Sequence, residues 1–463
     1  MEKLRIYSPY NGEVVGEAPL SDELGIEGAL ERAYRLFLEQ DGWLKPSHRI
    51  EILKKLATLM SVERDSLAKT IALEGGKPLI DAQVEVDRAI QGVDFAAGEI
   101  ARLHGTEIPM GSTKATHNRL AFTILEPIGV VAAISAFNHP LNLIVHQVIP
   151  AVAVGCPVVV KPASSTPLSC LRLVHLLKEA GLPDGWCQAV VCRGKDAEKL
   201  VADPRINFLS FIGSASVGWE LKRRLSPGTR CALEHGGVAP VIVEPDADIA
   251  QVVPLLLKGG FYHAGQVCVS VQKIFAHEAI FRELSDKLAE GASKLVVGDP
   301  LDLKTEVGPL ISHSEVERVD AWVSEAVEGG GEILCGGKKL SPSLYAPTVI
   351  ANPPRGAKVS QEEIFGPVVS IYSYKDRQDA IAEANSLPVA FQAAVFTKNI
   401  DSALYLTKRL NAASVMVNDH TAFRADWMPF GGRDSSGIGV GGIPYSMHEM
   451  TREKLIVIKS AAL

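Results

Sequence analysis

The chain has 463 residues, of which 47% are hydrophobic and 22% charged, with a formal charge of −7. That length and balance fit a globular α/β enzyme of two or three domains with a large core. They exclude a fibrous or disordered chain and argue against a general nucleic-acid-binding surface. Seven cysteines without any CxxC pair or metal-ligand spacing read as free thiols of a reducing, cytoplasmic compartment, with no metal site.

The first residues, Met1-Glu2-Lys3-Leu4-Arg5, are followed by no apolar signal core. Residues 1–20 alternate loosely and carry turn formers (Ser8-Pro9, Asn11-Gly12), which predicts a short β start. Ile26, Ala29, Leu30, Ala33, Leu36 and Phe37 recur at helical steps, a second helix is predicted over 47–60, and helical pattern continues to about Arg102. This region is expected to cover a sheet. Residues 106–126 lose that period and read as a β-hairpin excursion, either a surface flap or an arm that pairs with another subunit.

From Ile128 the texture alternates between strand and helix. Strands are predicted at 129–134, 157–160, 188–191 and 207–211, with a helix opened by Thr166-Pro167. Such alternation predicts a parallel, doubly wound sheet that binds ligands at the carboxyl ends of its strands. The most apolar stretch, 149–160, contains Pro150, Gly155 and Pro157 and is too short to cross a bilayer, so no membrane association is expected.

Two strand ends carry suitable chemistry. Lys161, in Lys161-Pro162-Ala163-Ser164, can hold ribose hydroxyls or a phosphate, or can be a solvated strand terminus. Gly213 and Ser214 enter a helix and present backbone N–H groups as a seat for a pyrophosphate. Glu234 is the only acidic residue between Leu221 and Val243. A carboxylate among apolar and glycine neighbours is costly to bury, and desolvation would raise its pKa toward that of a general base; otherwise it caps backbone N–H groups.

Cys268, in Ala264-Gly265-Gln266-Val267-Cys268-Val269-Ser270, follows Gly259, Gly260 and Gly265 and precedes a strand-like run over 269–275. It is a candidate nucleophile facing backbone donors, or a small buried hydrophobe. Helices are predicted over 281–292 and 314–328. Glu363 and Phe365 precede a strand at 368–372, a polar loop holds His420, Arg424, Asp426 and Trp427, and 455–458 makes a terminal strand that could add to a neighbour's sheet.

Seven stretches, in order, resemble the aldehyde dehydrogenase superfamily: Phe137-Asn138-His139-Pro140-Leu141, Val160-Lys161-Pro162-Ala163, Phe211-Ile212-Gly213-Ser214, Leu233-Glu234-His235-Gly236-Gly237, Gly265-Gln266-Val267-Cys268, Glu363-Ile364-Phe365-Gly366-Pro367 and Pro429-Phe430-Gly431-Gly432. The resemblance implies a Rossmann-like cofactor domain over 1–108 and 128–236, and an α/β catalytic domain over 237–434. It implies an oligomerisation arm over 109–127 and 449–463, with 435–449 as a connecting segment.

It further implies that Cys268 attacks an aldehyde, that Asn138 and the Cys268 N–H hold the oxyanion, and that Glu234 activates the hydrolytic water. Lys161 and Ser164 would hold the adenine ribose, Gly213 and Ser214 the pyrophosphate, and Glu363 the nicotinamide ribose, with Phe365 packed nearby. A homodimer or homotetramer is implied. Members that bind coenzyme A as acyl acceptor, and members that keep only the fold, are the alternatives; Glu234, and the retention of the whole residue set, argue against each.

Departures from the family pattern also matter. Ser164 stands where many NAD-preferring members carry Glu. A hydroxyl beside Lys161 would accept a 2′-phosphate, so NADP is expected to be accepted, even preferred, with NAD still possible. His235 replaces a common Leu. His146 and Tyr262 replace two carboxylate-binding arginines of semialdehyde-specific relatives. His146, Tyr262, Arg424 and His420 are then expected to line a polar mouth for a short hydroxylated, phosphonate or sulfonate aldehyde, unless His146 is a satisfied helix residue and Arg424 a surface charge.

Overall fold

The structure is a computed structural model that describes residues 2–463. A six-stranded sheet runs, in spatial order, Gly437–Ile438, Arg230–Glu234, Ile206–Ile212, Val130–Ile134, Val158–Lys161 and Cys187–Ala189. All of its pairings are parallel except that of the Gly437–Ile438 edge. The central strand Val130–Ile134 is buried at every position. Val131 and Ala133 face one core, beside the helices Pro46–Val62, Leu79–Glu99 and Asn142–Val154, while Val130, Ala132 and Ile134 face another beside Glu23–Leu38. A strand that is apolar on both faces can be accommodated only where helices cover both sides, as in parallel sheets.

A seven-stranded sheet runs Glu332–Cys335, Thr348–Ala351, Val368–Tyr374, Lys273–His277, Val241–Val243, Gln392–Phe396 and Ser414–Val417, parallel apart from its Glu332–Cys335 edge. A three-stranded antiparallel arm is built from Thr451–Lys459, Arg119–Pro127 and Glu107–Ile108. Among the described residues no helix is long and apolar enough to cross a membrane.

One expectation is corrected. The strand after Cys268 begins at Lys273, not Val269. Val269 lies in a turn whose carbonyl accepts from the Thr421 hydroxyl (2.6 Å), and the Gln272 side chain is drawn off to Ile364 and Glu362, so side-chain bonds replace the sheet ladder there. The C-terminal strand pairs along its whole length with Arg119–Pro127 of its own chain and forms an edge of the three-stranded arm. Residues 435–449 carry elements of their own. Gly437 pairs with Glu234, and the helix Ile443–Glu449 buries Ile443 and Met447 in the core that also holds Val131 and Val148.

Candidate active site

The parallel strands deliver their loops to one place. Asn138 follows Val130–Ile134, Gly213 follows Ile206–Ile212, and Glu234 ends Arg230–Glu234. From the other sheet come Cys268, past the helix Ile249–Phe261, and Glu363 and Phe365, which precede Val368–Tyr374. All six line one cleft of about 930 Å³, together with Ser214, Tyr262 and Arg424. Of the Lys161–Ser164 segment only Ala163 lines it; the Lys161 ammonium rests on the Pro162 carbonyl (3.1 Å) and Ser164 is exposed.

The turn that carries Cys268 is strained. His263, Ala264 and Gly265 have φ of 49°, 55° and 70°, three left-handed residues in succession. Only the glycine adopts this without cost, and a side chain there would strike the Gly366 carbonyl. Gln266 locks the turn: its amide N–H donates to the His263 and Pro309 carbonyls (3.3 and 3.2 Å), and its oxygen accepts from the Ile311 N–H (2.9 Å). The Gln266 carbonyl in turn accepts from Asn138 Nδ2 (2.9 Å).

Cys268 Sγ lies 3.9 Å from Glu234 Oε1. Burial pushes the Glu234 carboxyl up to about 7, against the smaller pull of Arg424 and the thiol. Burial, then the carboxylates of Glu234 and Glu363, hold the thiol well above its ordinary value. At neutral pH the resting sulfur is therefore protonated, and a carboxylate about half ionised stands ready to take the proton.

A nucleotide fits the rest of the cleft. Glu363 is pushed up to about 8 by burial, and its Oε1 is buried without a partner, an acceptor suited to a sugar hydroxyl. Gly236 leaves that carboxylate room, since a Cβ there would collide with it. Ser214 is the N-cap of the helix Ala215–Arg223 but makes no side-chain capping bond, which leaves the first N–H groups free for an anion. His235 is bonded through Nδ1 to the Gly213 carbonyl (2.9 Å) and packs between Phe211 and Trp219, so it braces this turn instead of reaching Glu234. Phe365 meets Phe137 edge-on, with ring centroids 5.8 Å apart.

At the opposite end, the Tyr262 ring lies beneath Lys258 Nζ (4.7 Å), and the Arg424 guanidinium lies 3.5 Å over Phe430. His146 does not reach the cleft as expected. It sits buried behind Arg424, with Nε2 2.6 Å from Asp426 and Nδ1 3.3 Å from Arg424 Nη2. Burial and Arg424 push it down to about 4, so the ring is neutral and bridges the two charges. Asp426 also accepts two bonds from Arg88 (3.0 and 2.7 Å) and one from Asn142 (3.2 Å). One carboxylate thus serves Arg88 fully and Arg424 only at 3.9 Å, and Arg424 Nε has no partner. His420 lines the same end and is held neutral by burial. Sequence reasoning passed over Lys258 and Arg88. Lys258 had a signal, as the only charge in the apolar helix Ile249–Phe261.

A family model described as "Aldehyde dehydrogenase family" matches residues 1–456. The chain is similar to a 3-sulfolactaldehyde dehydrogenase from Priestia aryabhattai, 37% identical over 458 residues that cover 99% of this chain and 95% of the relative. It is similar to a lactaldehyde dehydrogenase from Methanococcus vannielii, 37% identical over 464 residues, covering 99% and 97%. Among solved structures, glyceraldehyde-3-phosphate dehydrogenase from Methanocaldococcus jannaschii complexed with NADP superposes with a TM-score of 0.94 at 35% identity, covering 99% of both chains.

Proposed function

The chain belongs to the aldehyde dehydrogenase family and is an NAD(P)-dependent oxidoreductase of short aldehydes; from that premise we propose that Cys268, Glu234 and Asn138 carry out the reaction. Supporting this is the meeting of an isolated thiol and an isolated carboxyl, 3.9 Å apart, in one cleft. Cys268 Sγ attacks the aldehyde carbon while Glu234 takes the thiol proton. One Asn138 N–H is committed to the Gln266 carbonyl; the other, with the Cys268 backbone N–H, receives the oxyanion. A bound nicotinamide supplies the hydride acceptor. Glu234, once it has passed the thiol proton to solvent, draws a proton from water, which attacks the Cys268 thioester; the thiolate leaves and the carboxylic acid is released.

Glu363 would hold the nicotinamide ribose through its free Oε1, Gly213 and Ser214 the pyrophosphate, and Phe365 would pack against the nicotinamide end. Lys161 and Ser164 would hold the adenine ribose. Ser164 supports a preference for NADP, because a hydroxyl beside an ammonium accepts a phosphate where a carboxylate would repel it.

For the substrate, Arg424 is a cation with an unpartnered Nε in the cleft, and Tyr262 offers a hydroxyl. With relatives named for sulfolactaldehyde and lactaldehyde, this favours a three-carbon hydroxylated aldehyde with an anionic tail. The arm exposes Leu120, Ile124, Leu455, Val457 and Ile458, which supports a homo-oligomer assembled through it. Seven free cysteines support a cytoplasmic protein.

The test is a panel of sulfolactaldehyde, lactaldehyde and succinic semialdehyde with NAD and NADP, without coenzyme A. Acid and reduced nucleotide should form fastest with the sulfonate and NADP. A requirement for coenzyme A, or equal rates across the panel, would overturn the hydrolytic or the substrate assignment respectively.

A further inference from the structure

Asn138 stands at the head of a turn that its own neighbours cannot cap. Leu143 N–H donates to the His139 carbonyl (3.0 Å) and Val145 N–H to that of Leu141 (3.0 Å), so the backbone is already helical from His139 onward. The N–H groups of Leu141 and Asn142 therefore have no partner within the helix. The side chain that would normally serve as a local cap, Asn138, is turned to the Gln266 carbonyl instead.

The missing acceptor comes from elsewhere in the chain. Glu85, on the helix Leu79–Glu99, accepts from both Leu141 N–H and Asn142 N–H with one oxygen (3.0 Å each). Its other oxygen pairs with the Lys77 ammonium, and both side chains are completely buried. Leaving two buried N–H groups unpaired forfeits their hydration with nothing in return. The turn is accordingly held where Glu85 puts it, and Asn138 with it.

We propose that Glu85, with Lys77 as its counter-ion, is a positioning residue for the Asn138 amide. The carboxylate fixes the main chain just after Asn138, while the Gln266 carbonyl fixes its side chain, so the free N–H is aimed before an aldehyde arrives. This rests on the oxyanion role proposed above for Asn138. A displacement of about 1 Å in such a donor costs about 100-fold in rate, which a residue with only a packing role would not impose selectively.

The test compares two double variants, K77M/E85Q and K77M/E85L. Both abolish the buried ion pair, but only the first keeps an oxygen that can accept from Leu141 and Asn142. We expect kcat in K77M/E85L to fall at least about ten-fold below K77M/E85Q, with the NADP dissociation constant, read by protein fluorescence, equal in the two. In an Asn138→Ala background the difference between them should vanish.

Equal kcat values, or a difference that survives undiminished without Asn138, would overturn the positioning role. If K77M/E85L does not fold, Glu85→Asp keeps the charge but shortens its reach; it should lower kcat at unchanged NADP affinity, and parent-level kcat would overturn the proposal. Asn138→Ala with parent-level kcat would remove the oxyanion role itself. An impaired Asn138→Ala beside indistinguishable double variants removes only the assignment to Glu85.

Discussion

Arg424→Met tests the electrostatics of the site most directly. Methionine keeps apolar packing on Phe430 and deletes the cation that draws the Glu234 carboxyl down. An opposite charge close by shifts a carboxyl by about one to three pH units. Arg424 is partly compensated by Asp426, so its loss should count at the low end, about one. Glu234, now at about 7, would then ionise near 8. Because the base form grows with pH, the ionised fraction at neutral pH falls from about a half to about a tenth. Steady-state kcat should drop about five-fold at pH 7 and recover in alkali. The assay is kcat against pH at saturating aldehyde and NADP. A rising limb that stays where the parent's lies would refute the coupling of Arg424 to Glu234.

The same variant should raise KM for a sulfonated aldehyde by at least about thirty-fold, the lower end for losing one partner of a charged contact, and leave KM for lactaldehyde nearly unchanged; equal changes would remove Arg424 from substrate recognition. Cys268→Ala should abolish turnover while NADP still quenches protein fluorescence. Glu234→Gln should give a burst of reduced nucleotide without steady turnover, and steady turnover at the parent rate would exclude it as the hydrolytic base. Ser164→Glu should weaken NADP relative to NAD, and an unchanged ratio of kcat/KM would refute the phosphate assignment. Glu74 caps the helix Leu168–Glu179 from a distance, and burial raises its carboxyl from 4.5 to about 7. Between those values the folded chain keeps a proton that the unfolded chain releases. Stability should therefore fall by up to about 3 kcal/mol as pH rises through that window. Glu74→Gln, neutral throughout, should flatten this slope in urea unfolding; an unchanged slope would contradict the burial argument.

The alternation from Ile128 onward, a strand apolar on both faces at 130–134, and glycines where backbones nearly touch are local properties, and they were legible. The isolation of Cys268 and Glu234 was legible too, because a thiol or carboxyl set among small and apolar residues has few inexpensive reasons to be there, whereas Asn138 and Glu363 were singled out through the family resemblance. Only the tertiary structure decided which side chains line the cleft. His146 and Arg424 look alike as candidates in the sequence. A carboxylate 280 residues beyond His146 turns it into a buried bridge, and Arg424 remains as a cation that lines the cleft. Likewise the cap on the Asn138 turn comes from Glu85, 56 residues before Leu141. The periodicity of a chain specifies its elements through near neighbours. Burial, partnership and hence protonation are set by groups that meet only after the sheets have packed, and no spacing in the sequence encodes those distances.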